Sequence, residues 1–538
     1  MTVPTRVPIT SGHSQNINIL ASLRSNFGTY TANLKDVVQC LREAEKTASL
    51  RESQIVSLQN EQQRLFLRIS RYKSLLAPIR RLPPELLARI FGFCCKESKA
   101  NEKMDCPVVR LSQVCAGWRE LARTTSSLWT HISVDLSDCE YSIQRVLSMV
   151  DTHLSLSKQS PLHISLVLPV TSDDARAVLR AFVPESMRWE TVTLDVDRCH
   201  LLDTEFTAIK DRLPLLRQLE LWPTSTGTFD TESAATVDSF SSAPNLRSLQ
   251  LGVLDDGGEI YLASTEIRVP WTQLHDLTLW VHRPMAIRER LMSASEARTV
   301  TIERCYGPAE DAAEAEPVVH FMRSLTISVD KWDRNLTVFL RLLVLPQLTS
   351  LCLSGVEPMY PDTELHLSDI QTFLIRSGCN LTSLSLVSLS NTDHIILQLL
   401  ECIPSLVDLT IHERPIKGTT KNTILTPHFI EQLSFIHDRN SSRCLLPYLQ
   451  HLFFQAHHSF AVVLFIGMVR SRWIPNSEHT LEMGVNCLKN VKLRLFGLMT
   501  QSERMNKVDM HVGALRILRD AGLHFEVSER DYAVQSSD

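Results

Sequence analysis

The sequence predicts an α/β chain: a long N-terminal helix, a short trihelical module and then a solenoid with a curved parallel sheet. Three observations carry that reading. A seven-residue apolar repeat sets in at Leu34, two helical stripes follow between residues 83 and 122, and a short apolar phrase recurs from Trp189 to Leu493. The 538 residues, 44% of them hydrophobic and 21% charged, suffice to bury a large core.

Residues 1–33 are polar, contain Pro4 and Pro8 and show no sustained period, which predicts a flexible tail. From Leu34 one heptad column reads Leu34, Leu41, Ala48, Ile55, Gln62, Ile69 and Leu76. The column three residues on reads Val37, Ala44, Arg51, Leu58, Leu65 and Tyr72, so 11 of 13 positions are apolar. No Gly or Pro interrupts before Pro78, and residues 34–77 are expected to form one coiled-coil helix, its seam weakened at Arg51 and Gln62. Such a helix has no core of its own. It either forms a homodimer through residues 34–76 or folds back on its own chain.

Pro78 ends that helix, and Pro83 and Pro84 fit the first turn of the next, with Glu85 at its positive end. Leu86, Leu87, Ile90 and Phe91 read as one stripe. A polar connection from Lys96 to Pro107 leads to a second stripe, Val108, Leu111, Val114, Cys115, Trp118, Leu121 and Ala122, and Leu128-Trp129 opens a third short helix or turn. A unit this small cannot enclose all of these side chains, so part of the stripe is expected to stay open for a partner.

The opening Leu82-Pro83-Pro84-Glu85-Leu86-Leu87-Ala88-Arg89-Ile90-Phe91, the middle run from Leu111 to Ala122 and the closing Leu128-Trp129 resemble the F-box, a three-helix module. The heptad helix running straight into this opening is similar to F-box proteins of mushroom-forming fungi. The connection at Lys96 is longer and more polar than the family's usual one. The resemblance covers residues 78–135 and implies docking onto a Skp-family adaptor, and through it onto a cullin–RING ubiquitin ligase of the SCF type. It places the adaptor contact on Leu82, Pro83, Leu86, Leu87, Ile90, Leu111, Val114, Cys115 and Trp118.

Past Trp129 the phrase apolar-x-x-apolar-x-apolar recurs, from Trp189/Val192/Leu194 through Leu216/Leu219/Leu221 to Leu488/Val491/Leu493. Successive instances are separated by 27, 30, 28, 23, 25, 26, 33, 25, 43 and 39 residues, and most of these spacings match one leucine-rich repeat. Pro214, Pro244, Pro346, Pro404 and Pro447 each stand two residues before a phrase, ending the preceding helix. Residues 136–525 are therefore expected to form a degenerate leucine-rich-repeat domain, with helices near 204–213, 337–345, 368–376, 393–402 and 460–472, and 526–538 a second tail.

The last two apolar positions of the phrase lie two apart and share one face of a strand. The residues between and beside them face the other way, and in solenoids that face is where partners bind. The candidate substrate-binding residues are Glu220, Trp222, Gln250, Asp276, Thr278, Trp280, Thr326, Ser385, Thr410 and His412. Trp222 and Trp280 either reach solvent or pack against a neighbouring loop.

Other chemistry finds no pattern to stand on. Phosphate-loop, dinucleotide, nucleophile-elbow and zincin motifs are absent, and His457-His458 lacks metal-ligand spacing, so no catalytic residue, metal or cofactor is expected and the chain reads as a non-catalytic receptor subunit. Asp255-Asp256-Gly257-Gly258 reads as a turn and the acidic run from Glu310 to Glu316 as a solvated loop. A net charge of −5 recommends neither nucleic acid nor an anionic membrane as partner. The 13 Cys form no C-x-x-C pair, and with no secretory signal at the N-terminus they predict reduced thiols in the cytoplasm or nucleus. The longest apolar run, residues 460–469, falls short of a membrane span and reads as one buried helix. The expected function is substrate recognition for a ubiquitin ligase, with an unknown protein substrate on the repeats. The alternative is a coiled-coil and leucine-rich-repeat scaffold.

Overall fold

The computed structural model describes residues 34–96, 106–137, 142–168, 172–224, 235–252, 265–282, 284–305, 315–329, 334–355, 366–413, 422–436, 444–476, 483–496 and 515–530, with Arg24, Glu478 and Thr480. The expected tail at 1–33 apart from Arg24, the turn at 255–258, the acidic loop from 310 to 314, and all but the ends of the polar connection after Lys96 lie outside the described residues. The chain divides into two compact units, Met1–Leu87 and Ala88–Asp538.

The first unit is dominated by helix α1, Leu34–Leu76, 43 residues with no breaker inside them. Its described heptad residues are all exposed, among them Leu41, Ile55, Leu58, Leu65, Ile69 and Tyr72. Ala77 leaves helical backbone, and Pro78–Arg81 form a single 3-10 turn. Arg80 folds back to donate from Nε to the Ser74 carbonyl at 2.7 Å, closing an orphan acceptor of the last turn of α1.

The second unit holds a parallel sheet of 14 strands whose order in space is their order in the chain. These are β1 (His131–Asp135), β2 (Leu162–Leu168), β3 (Trp189–Asp197), β4 (Gln218–Thr224), β5 (Ser248–Leu251), β6 (Asp276–His282) and β7 (Thr299–Cys305). The sheet continues with β8 (Ser324–Val329), β9 (Ser350–Gly355), β10 (Ser383–Val387), β11 (Asp408–His412), β12 (His451–His457), β13 (Asn490–Phe496) and β14 (His524–Arg530). A chain that adds each strand beside the last, in the same direction, is a solenoid. Eleven of the strands are those of the apolar phrase. The structure adds β1 and β2 before them and β14 after them, and β14 runs to Arg530, past residue 525 where a tail was expected.

The strands stack in register, so the phrase becomes two inward ladders. One contains Val192, Leu219, Leu249, Leu277, Val300, Leu325, Leu351, Leu384, Leu409, Leu452 and Val491. The other, two residues on, runs from Leu194 to Leu493, and both are buried throughout. Helices Ile143–Ser157, Asp173–Phe182, Pro284–Ser293, Arg334–Arg341, Leu367–Ser377, Asp393–Glu401, Pro427–Leu433 and Val462–Ser471 add their own apolar stripes to the same core. Near 204–213 only Thr204–Thr207 is helical, the rest closing in turns. Val462–Ser471 buries Phe465, Ile466, Met468 and Val469 but exposes Val463 and Leu464, so it is amphipathic rather than wholly buried. Among the described residues, no helix is long and apolar enough to cross a membrane.

Two buried polar side chains tie the later repeats together. Glu413 accepts the N–H groups of Ile424 and Leu425 at 2.7 and 2.6 Å and the Thr423 hydroxyl at 3.2 Å, and burial raises its carboxyl above the ordinary range. Arg472 is fully buried and donates to the carbonyls of Leu433, Leu445 and Leu446, which lie between the repeats.

Candidate interaction surfaces

Helix α2 (Pro84–Lys96) starts where Pro83 offers its carbonyl to the N–H groups of Leu86 and Leu87, both at 3.1 Å. Its apolar residues divide into two stripes, not one. Leu87 and Phe91, four apart, are 8% and 1% exposed, whereas Leu86, Ile90 and Phe93 are 47%, 41% and 62% exposed. Leu87, expected at the contact surface, is thus a core position. Phe93, missed in the sequence reading, belongs to the outer stripe, and its spacing of seven from Leu86 was the available signal.

In the second unit α3 (Pro107–Val114) and α4 (Ala116–Thr124) meet at Cys115, whose Sγ accepts the Trp118 N–H at 3.5 Å and so serves as N-cap of α4. Phe91 packs on the Trp118 ring with centroids 4.7 Å apart. Val114 is 60% exposed, and Leu111, Cys115 and Trp118 are half-buried. In the first unit Ile79 and Pro83 are exposed and Leu82 half-buried. Burial pushes the Cys95 thiol up to about 11, so this cysteine stays protonated and behaves as an apolar core residue.

Leu128 and Trp129 are sealed in. Trp129 Nε1 donates to the Ala122 carbonyl at 2.7 Å, and its ring meets the edge of His153 at 5.0 Å, which joins the helical module to the first helix of the solenoid. The apolar residues of the module, part of which were expected to stay open, therefore separate. Leu86, Ile90 and Val114 are open with Phe93, while Leu87, Phe91, Leu128 and Trp129 are structural.

On the outward face of the sheet, register gathers the other predicted residues into rows. Glu220, Gln250, Thr278, Thr326, Ser385 and Thr410 occupy one row, with Thr301 and Cys352 filling its gaps. Asp276 lies in the row toward the strand starts, and Trp222, Trp280 and His412 in the row toward the strand ends. Asp276 is exposed and the others are half-buried.

The two tryptophans pack on each other. Their rings meet edge to face at 5.1 Å although β5 separates their two strands, and Gly252, just after β5, lies between. A Cβ at that glycine would sit inside the Trp222 ring, so the backbone there must lack a side chain for the pair to form. At the far end His412 meets Phe453 edge-on at 4.6 Å, and Arg494 lies over the same ring at 5.4 Å; burial first, then Arg494, holds the His412 pKa below its ordinary value. Among the described residues no group of His, Cys, Asp and Glu could hold a metal ion, and cysteines such as Cys95, Cys115, Cys352 and Cys444 are free thiols.

Among curated proteins none matches this chain. Residues 79–135, the stretch that contains both α2 stripes, α3, α4 and strand β1, match the family model F-box-like.

Proposed function

We propose that the chain is the substrate-recognition subunit of an SCF-type E3 ubiquitin ligase. The helical module docks on a Skp-family adaptor, and the outward face of the sheet holds a protein substrate. The observation that carries the reading is the F-box-like match at residues 79–135. Physical support comes from Leu86, Ile90, Phe93 and Val114, large apolar side chains that a folded module leaves in water unless a second chain covers them. Holding a substrate beside a charged ubiquitin carrier raises the effective concentration of its lysines, and no chemistry is asked of the receptor itself. The free thiols suit the reducing cytoplasm or nucleus. The exposed seam of α1 supports pairing with a second copy through residues 34–76.

A pull-down of the full chain with a Skp-family adaptor tests this. Wild type is expected to capture the adaptor. Leu86→Asp and Ile90→Asp are expected to cut capture at least tenfold with an unchanged unfolding midpoint, since both side chains are exposed. Failure of wild type to capture the adaptor, or full capture by both variants, overturns the docking.

A further inference from the structure

The rows of the outward face lie within the strands. The position just before each strand forms a further ladder, linked by backbone hydrogen bonds from strand to strand. The Arg217 N–H donates to Glu190 O at 2.9 Å, Arg247 to Arg217 O at 2.9 Å, His275 to Arg247 O at 2.8 Å, Arg298 to His275 O at 2.8 Å and Arg323 to Arg298 O at 2.8 Å. Five consecutive repeats thus place a basic residue at one edge of the sheet. Neighbouring rungs are about 4.8 Å apart, so the row spans roughly 19 Å.

The four arginines are exposed and His275 is half-buried. Arg217 has Glu190 at 3.6 Å. Among the described residues Arg247, Arg298 and Arg323 make no ion pair, although Arg247 Nη1 donates to the Gln273 carbonyl at 3.3 Å, which steadies its stem. The carboxylates nearest along the chain are Asp276, on the opposite face of its strand, and Glu296, two residues before Arg298. Like charges side by side on adjacent strands destabilise a sheet. An anion laid along the edge removes that cost, and guanidinium forks match carboxylates in pairs.

We propose that this edge, from Arg217 to Arg323, binds an extended Asp/Glu-rich segment of a protein partner. A strand rising about 3.3 Å per residue covers the row with about six residues. A short acidic peptide fits better than a polynucleotide, because Glu220, Asp276 and Glu303 on the outward face of the same strands repel a polyanion that extends beyond the edge. The proposal rests on reading the solenoid as a receptor and names the chemistry of what it receives. It is independent of adaptor docking.

The test is fluorescence anisotropy on the full chain with a labelled hexaglutamate peptide, with hexalysine and a 20-nucleotide single-stranded DNA as comparison probes. Hexaglutamate is expected to bind in preference to both. Its Kd is expected to rise at least tenfold between 50 and 300 mM salt, and at least tenfold again in the triple variant R247E/R298E/R323E. Single Arg247→Gln and Arg298→Gln variants, each expected to weaken binding threefold or more with an unchanged melting temperature, keep the test decisive should the triple variant misfold. Equal binding by the single variants, no hexaglutamate binding by wild type, or tighter binding of DNA overturns the proposal. Leu86→Asp is the control that separates the two readings, since it should lose the adaptor and keep the peptide.

Discussion

The helical module and the solenoid close their cores to different degrees. In the solenoid each strand hands two apolar side chains inward, the helices cover them from the same side, and positions such as Leu221, Leu279, Leu386 and Ile411 are shut off from water. In α2 and α3 the apolar residues outnumber the places available, so Leu86, Ile90, Phe93 and Val114 remain open while Phe91 is sealed. The solenoid is finished by its own repetition, because every unit has a neighbour to complete it. Three short helices have no such neighbour, and each large side chain left out forgoes about 1.5–3 kcal/mol that a second chain can supply. The open apolar residues of the module fit the proposed adaptor contact, whereas on the solenoid, which also exposes single apolar residues such as Ile375 and Val463, the polar outward face and the charged edge are the surfaces proposed for binding.

The sharpest way to break this contrast uses two neighbours in α2. Phe91→Ala removes a ring that packs on Trp118, and the expected loss is about 3–5 kcal/mol of stability of the module. Ile90→Ala, one residue away on the outer stripe, is expected to change stability by under about 0.5 kcal/mol and to act on adaptor capture instead. Denaturant unfolding followed by tryptophan fluorescence measures the first, and quantitative pull-down the second. Equal destabilisation by the two changes would mean that the outer stripe is part of the core after all.

A second comparison sits inside the solenoid, between ordinary rungs and the one interrupted at Gly252. Adding a single methyl there by Gly252→Ala drives a carbon into the Trp222 ring and is expected to cost about 1–3 kcal/mol by overpacking. Near-ultraviolet circular dichroism reads the Trp222–Trp280 contact directly. The signal should fall in the variant, and an unchanged spectrum would show that the tryptophans do not depend on that glycine.

Much of the solenoid was legible because its signal is local: the spacing of Leu219 and Leu221, repeated, is enough to call a strand. The three missed strands lack a plain first member of the phrase. Before Ile132 and Val134 stands Trp129, absorbed into the helical module; before Ile164 and Leu166 stands Pro161, and before Phe525 and Val527 stands Gly522. The division of α2 into inner and outer stripes was not legible, since Leu86 and Leu87 are equally apolar and only packing decides which one turns inward. Neither the Trp222–Trp280 pair nor the basic edge could be read from the chain, because both depend on which residues register brings side by side across strands about 28 residues apart.

The smallest effect concerns pH and again sets the module against the solenoid. His153, beside Trp129 at their junction, and His320 and His412 in the solenoid are held below the ordinary imidazole pKa, in each case first by burial. His320 shows why protonation is resisted. Its Nδ1 accepts the Met322 N–H at 3.1 Å, so the ring proton sits on Nε2, which donates to the Ala294 carbonyl at 3.0 Å. A second proton would land on Nδ1 and face a donor. With the folded pKa lowered, the unfolded chain binds more protons as pH falls. The stabilisation from these rings is complete above about pH 6.5 and declines below it by up to about 1.4 kcal/mol per pH unit for each ring. Glu413 and Asp195, whose carboxyls burial raises, work the other way: they favour the folded state at low pH and lose that contribution as pH rises through their folded values. The histidine share must therefore be read by difference. His320→Asn keeps an acceptor for the Met322 N–H, adds a cost that does not vary with pH, and should flatten the loss of stability between pH 7.5 and 5.5 in urea unfolding. An identical slope in variant and wild type would remove His320 from the account and leave burial at the other two rings to explain whatever acid sensitivity the solenoid shows.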